Sequence, residues 1–342
     1  MATGVSIEIL DLRHFAAPML RPVLEVEGEM WKQRLHWDYR TSTKLLMQYL
    51  DSHMLPGYAA LDAGQVTGYA FCVYEETKAV IGNVFATGNA SAGSLAASSP
   101  EPDSARQIPA FAIEVEQTLL RHLFELLQNS PQVDRIESQL LLYPSGTHAE
   151  FFCQAGFQVF RRLFMVQSLR GRWNQPRLNL PGSLELRPWR DEDMASASRL
   201  INEAYGDHPD AVINDQYRSP QGSLRFLHNI VRYSGCGTFA PQVSFSIFHR
   251  SNRELIGLVL GSRVSPESGH ITQVCVHPSY RRHGLARLLL SLAAFQFVRL
   301  GVTEISLTVT ESNTPAIDLY RAEGYACPHT FDASVWQRGG TA

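Results

Sequence analysis

The stretch VCVHPSYRRHGLARLLL, residues 274–290, joins a segment typical of a buried strand to a segment with helical periodicity. The helical segment repeats leucine at i, i+3, i+4 and i+7, on one face: Leu285, Leu288, Leu289 and Leu292. Between the two segments lies RRHGLA, residues 281–286. The unpaired N–H groups and the dipole at a helix start attract phosphate, and Gly284 lets the backbone approach a ligand closely. Because two arginines add positive charge at the same point, RRHGLA predicts a pyrophosphate-binding loop.

The elements after this loop follow in a distinctive order. TEISLTVT, residues 303–310, has the composition of a strand, and residues 315–323 form a predicted short helix that carries Tyr320. Thr314 is a candidate cap for this helix, Pro315 suits its first position and Gly324 suits its end. The loop, the strand, an asparagine and the tyrosine-bearing helix together form a far more specific signal than the loop alone.

The first half of the chain shows the same order of elements in a diverged form. It has a predicted strand at residues 78–87, a helix at 111–127, a strand at 134–143 and a short helix near 156. FFCQAGFQV in this half aligns with LYRAEGYAC in the second half. The alignment sets Gly156 against Gly324, Phe152 against Tyr320, and Ser145 against Asn313. The sequence therefore predicts a duplicated unit.

The second half resembles the GNAT superfamily of acyl-CoA-dependent N-acyltransferases. RRHGLA matches the family pattern Q/R-x-x-G-x-G/A, and SNTPAIDLYRAEGYA resembles the later run N-x-x-A-x-x-L-Y-x-x-x-G-F/Y. The specific match covers about residues 269–326. The resemblance implies an α/β (α+β) fold of two GNAT-like units. Each would be a mixed, mostly antiparallel sheet with a V-shaped splay, flanked by helices.

The resemblance also implies a binding mode for acetyl-CoA. The cofactor would lie along Val274, Cys275 and Val276, with main-chain groups of the two valines pairing with the pantetheine arm. The pyrophosphate would be held by main-chain N–H groups of the loop residues Arg281, Arg282, His283, Gly284, Leu285, Ala286 and Arg287. Asn313 would contact the cofactor near the pantetheine arm. The thiol of Cys275 itself is interpreted as a small core group and not as a nucleophile.

Tyr320 is the catalytic residue that the resemblance implies, as the proton donor to the leaving thiolate. A thiol has a pKa near ~8.5 and a phenol near ~10, so a positioned tyrosine can supply that proton. The general base stays open. Where the family often has glutamate, this chain has Thr272. The alternatives are Glu203, Asp207 and His208 in the stretch INEAYGDHPD, or a chain of water molecules.

The implied activity is acetyl transfer from acetyl-CoA to a primary amine by direct attack, without a covalent enzyme intermediate. The acceptor is expected to be a small-molecule or peptide amine, and its identity, the acyl chain length and the oligomeric state stay open. A second hypothesis is a CoA-binding sensor or scaffold without turnover, because the Glu is missing at position 272 and the first copy is degenerate.

The degenerate copy has lost the residues that carry the chemistry. It has no RxxGxA loop, and Phe152 in place of a tyrosine cannot donate a proton. A polar stretch with two prolines separates it from the second half. We therefore predict a degenerate GNAT-like domain at residues 1–170, a linker at 171–183 and a catalytic domain at 184–342.

Composition narrows the class of protein further. The net charge of −3 argues against a nucleic-acid partner, and no apolar run approaches the ~20 residues that a membrane span needs. Five scattered cysteines without CxxC pairs indicate reduced thiols, and the first residues lack the pattern of a signal peptide. His270, His277 and His283 match no metal-site spacing. The sequence thus predicts a cytoplasmic protein with no metal.

Overall fold

The computed structural model describes residues 7–88, 109–171, 173–177, 179–206, 208–233 and 237–340. The chain forms two compact units. Unit 1 comprises Met1–Trp31, Thr43–Val159 and Asp332–Ala342, and unit 2 comprises Lys32–Ser42 and Phe160–Phe331. Within the described ranges, no helix has both the length and the apolar character needed to span a membrane.

The elements up to residue 154 supply most of unit 1. They are β1 (Glu8–Asp11), α1 (Ala17–Leu35), α2 (Arg40–Asp51), β2 (Gly57–Asp62), β3 (Gln65–Glu75), β4 (Lys78–Ala86), α3 (Ala110–Gln128), β5 (Arg135–Gln139) and α4 (Ala149–Gln154). Strands β1 to β5 are neighbours in that order, antiparallel except for the parallel pair β4–β5. The helix predicted at residues 111–127 is α3, one residue longer at each end.

The later elements supply most of unit 2. They are β6 (Gln158–Ser168), β7 (Leu184–Pro188), α5 (Met194–Tyr205), α6 (Asp210–Ile213), α7 (Pro220–Arg232), β8 (Thr238–Phe239), β9 (Phe245–His249), β10 (Leu255–Arg263), β11 (Ser268–Val276), α8 (Leu285–Arg299), β12 (Glu304–Thr310), α9 (Thr314–Ala322) and β13 (Ala326–Gln337). The strand order is β7-β9-β10-β11-β12-β6, with β8 also on β10. Only β11 and β12 pair in parallel in this set.

Unit 2 has helices on both faces of its sheet, as a layered α/β domain requires. One apolar cluster gathers α8 and α9 against the side chains of Ile305, Leu307 and Val309 on β12. A second cluster gathers α5 and α7 against Leu258 and Cys275. Because strand side chains alternate between faces, the even-numbered residues of β12 face the side of α5 and α7.

The two units divide the chain differently from the predicted domain boundary at 170–184. Residues 162–168 of β6 lie in the predicted first domain, yet they pair with β12 and belong to unit 2. Residues 333–337 of β13 pair with β5 and belong to unit 1. The last strand of each half of the sequence therefore pairs within the unit formed mainly by the other half. The reason lies in long-range strand pairing, which the order of elements along the chain does not encode.

The duplication predicted from the sequence is visible in the strand registers. In each unit, one strand of the parallel pair also carries a β-bulge against its antiparallel neighbour. In β4 the extra residue is Gly82, opposite β3, and in β11 it is Thr272, opposite β10. When the two bulges are aligned, Val84 in unit 1 corresponds to Val274 in unit 2, since each lies two residues after its bulge. The mixed, mostly antiparallel sheet with flanking helices confirms the predicted fold class.

Candidate active site

The central feature of unit 2 is an opening between β11 and β12. The two strands pair in parallel only from Ser268–Glu304 to His270–Ser306, and beyond that point they part. His270 closes the narrow end, where its Nδ1 lies 2.9 Å from Ser306 Oγ. Burial lowers the pKa of this imidazole to about 3, so His270 is neutral at physiological pH. It is a structural residue, as the sequence indicates.

The main chain of β11 presents hydrogen-bonding groups to this opening. The N–H of His277 donates to Ile256 on β10 at 2.8 Å, so the groups of Val276 and Val274 point away from β10, because backbone direction alternates. The hydroxyl of Tyr205, the last residue of α5, donates to the Val274 carbonyl at 3.0 Å. Val274 and Val276 therefore present main-chain groups on the open side, where the sequence predicts the pantetheine arm.

Cys275 points to the other face of β11, into the cluster beneath α5 and α7. Burial raises the pKa of its thiol far above the usual value, so the sulfur stays protonated. This agrees with the interpretation of Cys275 as a core residue. Its main-chain groups face Leu258 on β10, so Cys275, which the sequence analysis places among the cofactor-binding residues, directs neither its thiol nor its main chain to the opening.

The predicted phosphate loop is a run of N–H groups without acceptors at the start of α8. Gly284 occupies the cap position with φ 78°, and no side chain caps the helix. Arg282 also has positive φ, at 67°. Within the described residues, no acceptor meets the backbone N–H groups of residues 282–287. The N–H of Arg281 donates to Pro278, so the free run begins one residue later than the predicted loop.

Some side chains of the loop contact other residues, and others are exposed to solvent. Arg281 donates to the Ala204 carbonyl at 2.8 Å, and Arg287 forms an ion pair with Glu323 at 2.6 Å. His283 Nδ1 lies 2.8 Å from the Arg281 carbonyl oxygen. Leu285 is buried in the core and Ala286 is half-buried, while Arg282 and Gly284 are exposed. The loop therefore offers backbone N–H groups and the charge of Arg282 to an anion.

Asn313 and Tyr320 belong to α9, which follows β12. Asn313 Oδ1 accepts from the N–H of Ala316 at 3.3 Å, so Asn313, and not Thr314, caps the helix, which begins one residue earlier than predicted. About two turns after Asn313, Tyr320 is buried and packs on Tyr325, with ring centroids 5.8 Å apart. Within the part of the chain that the structure describes, its hydroxyl has no hydrogen-bond partner.

The surroundings of Tyr320 favour its neutral form. Burial is the main cause that raises its pKa far above the usual value; the charge of Asp210 adds to the increase, and Arg162 partly offsets it. Tyr205 and Tyr217 share this environment, and their rings lie 4.9 Å apart. Tyr320 is thus a protonated phenol throughout the neutral range, as a proton donor must be.

The predicted candidates for a base fall in different places. Glu203 is half-exposed and pairs with His277 at 3.7 Å, near the phosphate loop. His208 Nδ1 lies 3.1 Å from the backbone nitrogen of Asp210 and 3.6 Å from its carboxylate Oδ2. Asp207 lies outside the described residues.

Sequence reasoning missed Asp210 and Arg162. Asp210 closes the same stretch INEAYGDHPD and opens α6, and its carboxylate accepts from the hydroxyl of Thr310 at the end of β12. Arg162 lies on β6, which the predicted boundaries exclude from the catalytic domain. The signal for Asp210 was present in the sequence, whereas only strand pairing reveals Arg162. In the described ranges no cluster of three His, Cys, Asp or Glu side chains could hold a metal ion.

The equivalent opening of unit 1 is filled by buried side chains. The Val84 carbonyl, in the position of Val274, accepts from Tyr143 at 2.9 Å, and the N–H of Ala86 donates to Glu116 at 3.0 Å. The Tyr143 hydroxyl oxygen also lies 2.6 Å from Glu116 Oε1, so its single proton is shared between the two acceptors. Phe152 is buried against Phe124 and Phe157. These contacts give a physical reason for the predicted loss of cofactor binding in this copy.

Comparisons with known proteins agree with this geometry. Residues 207–325 match the family model described as acetyltransferase (GNAT) family. No curated protein matches the sequence. A GCN5-related N-acetyltransferase from Sphaerobacter thermophilus is similar in structure, with TM-score 0.65 at 16% identity over 97% of this chain and 95% of that one. A tandem GNAT protein from the clavulanic acid biosynthesis pathway, solved without acetyl-CoA, gives TM-score 0.58 at 14% identity over 98% and 100%.

Both structural neighbours align with the two halves of the chain. Because their sequence identity is low, they support the fold alone. The family model covers the segment that contains the opening, the phosphate loop and Tyr320. Residues 207–325 therefore match the model of the acetyltransferase (GNAT) family, and the fold of the whole chain is similar to that of a tandem GNAT protein.

Proposed function

We propose that unit 2 transfers an acetyl group from acetyl-CoA to a primary amine. The observation that carries this proposal is the arrangement around one opening. A run of unpaired N–H groups lies at the start of α8, main-chain groups of β11 face the opening, and the hydroxyl of Tyr320 has no partner among the described residues. Each of these groups is of the kind that one part of an acyl-CoA needs.

The residues present suit coenzyme A. A diphosphate needs several convergent N–H donors and close backbone approach, and residues 282–287 provide the donors. A Cβ built on Gly284 meets no atom within 4 Å, so the loop is open at its glycine. Val274 and Val276 would hold the amide groups of the pantetheine arm in the manner of an added strand.

Acetyl-CoA supplies the thioester: the amine nitrogen takes the acetyl carbon, the carbon–sulfur bond breaks, and the sulfur leaves with a proton. Tyr320 is the proposed source of that proton. Because burial keeps its hydroxyl protonated, it acts as an acid at neutral pH and not as the base that prepares the amine. The acceptor nitrogen loses two protons: the one released from its ammonium form leaves to water, and the one released as the amide forms restores the hydroxyl of Tyr320.

Release of free thiol from acetyl-CoA in the presence of a panel of primary amines tests the proposal. Tyr320→Phe keeps the packing and removes the acid, so kcat should fall about 100-fold while the Kd for acetyl-CoA stays within twofold. Tyr325→Phe is the matched control. It removes a buried hydroxyl without a partner from the ring that packs on Tyr320, and it should leave kcat unchanged.

Three results would count against parts of the proposal. An unchanged rate in Tyr320→Phe would remove the tyrosine from the mechanism. Tight binding of acetyl-CoA by calorimetry, with no product from any amine in the panel, would favour the non-catalytic CoA-binding alternative. A fall in rate in both variants would indicate that packing, and not proton donation, is the role of this tyrosine pair.

A further inference from the structure

Asp210 is a carboxylate held at the end of β12 on the face that α5 and α7 cover. It accepts from the hydroxyl of Thr310, and only 13% of its side chain is exposed. Its field reaches the hydroxyls of both Tyr320 and Tyr217, where it raises the pKa of each phenol. An amine substrate arrives as an ammonium ion, and a partly desolvated carboxylate is the group that attracts it.

Arg162 places a positive charge on the same face of the sheet. It is the direct cross-strand neighbour of Thr310, so the two side chains share a face with their Cβ atoms about 5 Å apart. Its guanidinium reaches along β12 to Thr308 Oγ1, at 3.5 Å. Its field also reaches Tyr320 and Tyr217, and it lowers the pKa that Asp210 raises.

The two charged groups therefore contact alternate residues on one face of β12. Thr308 and Thr310 lie about 7 Å apart along β12, since a strand rises ~3.4 Å per residue. Asp210 is anchored at one threonine and Arg162 extends to the other. A ligand with two opposite charges a few bonds apart matches this spacing, whereas a simple amine would match only one of them.

We infer that the acceptor of unit 2 is an amino acid or a similar amine that carries its own anionic group. Asp210 lies opposite the ammonium and Arg162 opposite the anion. The inference rests on the proposed acetyl transfer and adds the class of acceptor to it. In these roles the two residues select and orient the acceptor, while Tyr320 keeps the proton-donor role. Guanidinium suits the task because it binds a carboxylate through two parallel hydrogen bonds.

The test compares acceptors that differ only in the anionic group. Glycine, β-alanine and γ-aminobutyrate are each measured against their amides, which keep the amine and lack the carboxylate. The wild type should prefer the free acid at least tenfold in kcat/KM for at least one chain length. Arg162→Gln should abolish that preference by raising KM for the acid and leave the amide unaffected, and Arg162→Lys should restore part of it. Asp210→Asn should weaken both members of each pair.

Two neighbouring residues serve as matched controls. Arg161→Gln removes a half-exposed charge that pairs with Glu311 at 3.7 Å, one residue before Arg162 and on the opposite face. Asp318→Asn removes an exposed carboxylate from α9. Neither change should alter the preference. Melting temperatures of all variants identify any that fail to fold.

A second readout separates this inference from the proposed function. Calorimetry on the protein saturated with CoA measures binding of each acid and each amide without turnover. Turnover of amides as fast as acids, or equal losses for both in Arg162→Gln, would overturn the inference while leaving acetyl transfer in place. Selective binding of the acids with no product would support the inference and refute the proposed reaction.

Discussion

Two glycines at opposite ends of α8 allow a controlled test of the phosphate loop. Gly284 precedes the helix and Gly301 follows it, and each has φ 78°. A Cβ built on either residue meets no atom within 4 Å. Gly284→Ala and Gly301→Ala therefore impose the same backbone strain in equally open surroundings. They differ in position, because only Gly284 lies within the run of N–H groups that would hold a diphosphate.

The expected magnitudes follow from that geometry. An alanine in the left-handed conformation costs about 1–2 kcal/mol, so both variants should lose similar stability and melt a few degrees lower. The methyl group of Gly284→Ala additionally stands where the backbone must approach the ligand. We expect its Kd for CoA to rise at least tenfold, which is about 1.4 kcal/mol, and that of Gly301→Ala to change less than twofold.

Calorimetry with CoA gives these constants directly, and thermal unfolding checks them independently. Ligand at about 1,000 times the wild-type Kd stabilises the protein by about 4.1 kcal/mol, and the same concentration stabilises a tenfold weaker binder by about 2.7 kcal/mol. The gain in melting temperature on adding CoA should therefore shrink only in Gly284→Ala. Equal CoA affinity in the two variants would show that the N–H groups of residues 282–287 do not hold the cofactor.

Two further changes probe buried groups that the sequence did not single out. Tyr205→Phe leaves the Val274 carbonyl without its donor, so the free energy of unfolding of the free protein should fall by about 1 kcal/mol. Because Tyr205 and the pantetheine arm compete for this carbonyl in the proposed complex, CoA should bind up to about fivefold tighter, and weaker binding would contradict this competition. Glu27, buried among Tyr69, Asn83 and Trp31, has its pKa raised by burial to about 7. The wild-type free energy of unfolding should therefore fall by about 3 kcal/mol relative to Glu27→Gln as the pH rises from 4.5 to 8, and parallel urea midpoints across that range would refute the shift.

The features that could be predicted from the sequence are those encoded locally. The RRHGLA loop, the apolar face of α8 and the tyrosine on α9 are each specified by residues within one or two turns of each other. Their helices begin and end within one residue of the predicted positions. The duplication was also predictable, because two copies of one unit keep the same order of strands and helices.

The features that escaped prediction depend on residues that are distant in sequence. Arg162 reaches unit 2 because β6 pairs with β12, almost 150 residues later. The filling of the first opening depends on Glu116 and Tyr143, which meet β4 only in the folded unit. Such contacts between distant residues produce no periodicity or motif within a short stretch of sequence. Asp210 differs from these residues, because it lies in the stretch INEAYGDHPD, which the sequence already indicates as a source of candidate bases.

The strand pairing makes each half of the sequence depend on the other to complete a sheet. A fragment ending at residue 170 would lack the strand that closes its own sheet against β5, and a fragment starting at 184 would lack the partner of β12. Neither half completes its own sheet, so we expect deletion of residues 1–170 to unfold unit 2 as well. Through β6 the first half supplies unit 2 with Arg162, the residue proposed to bind the anion of the acceptor.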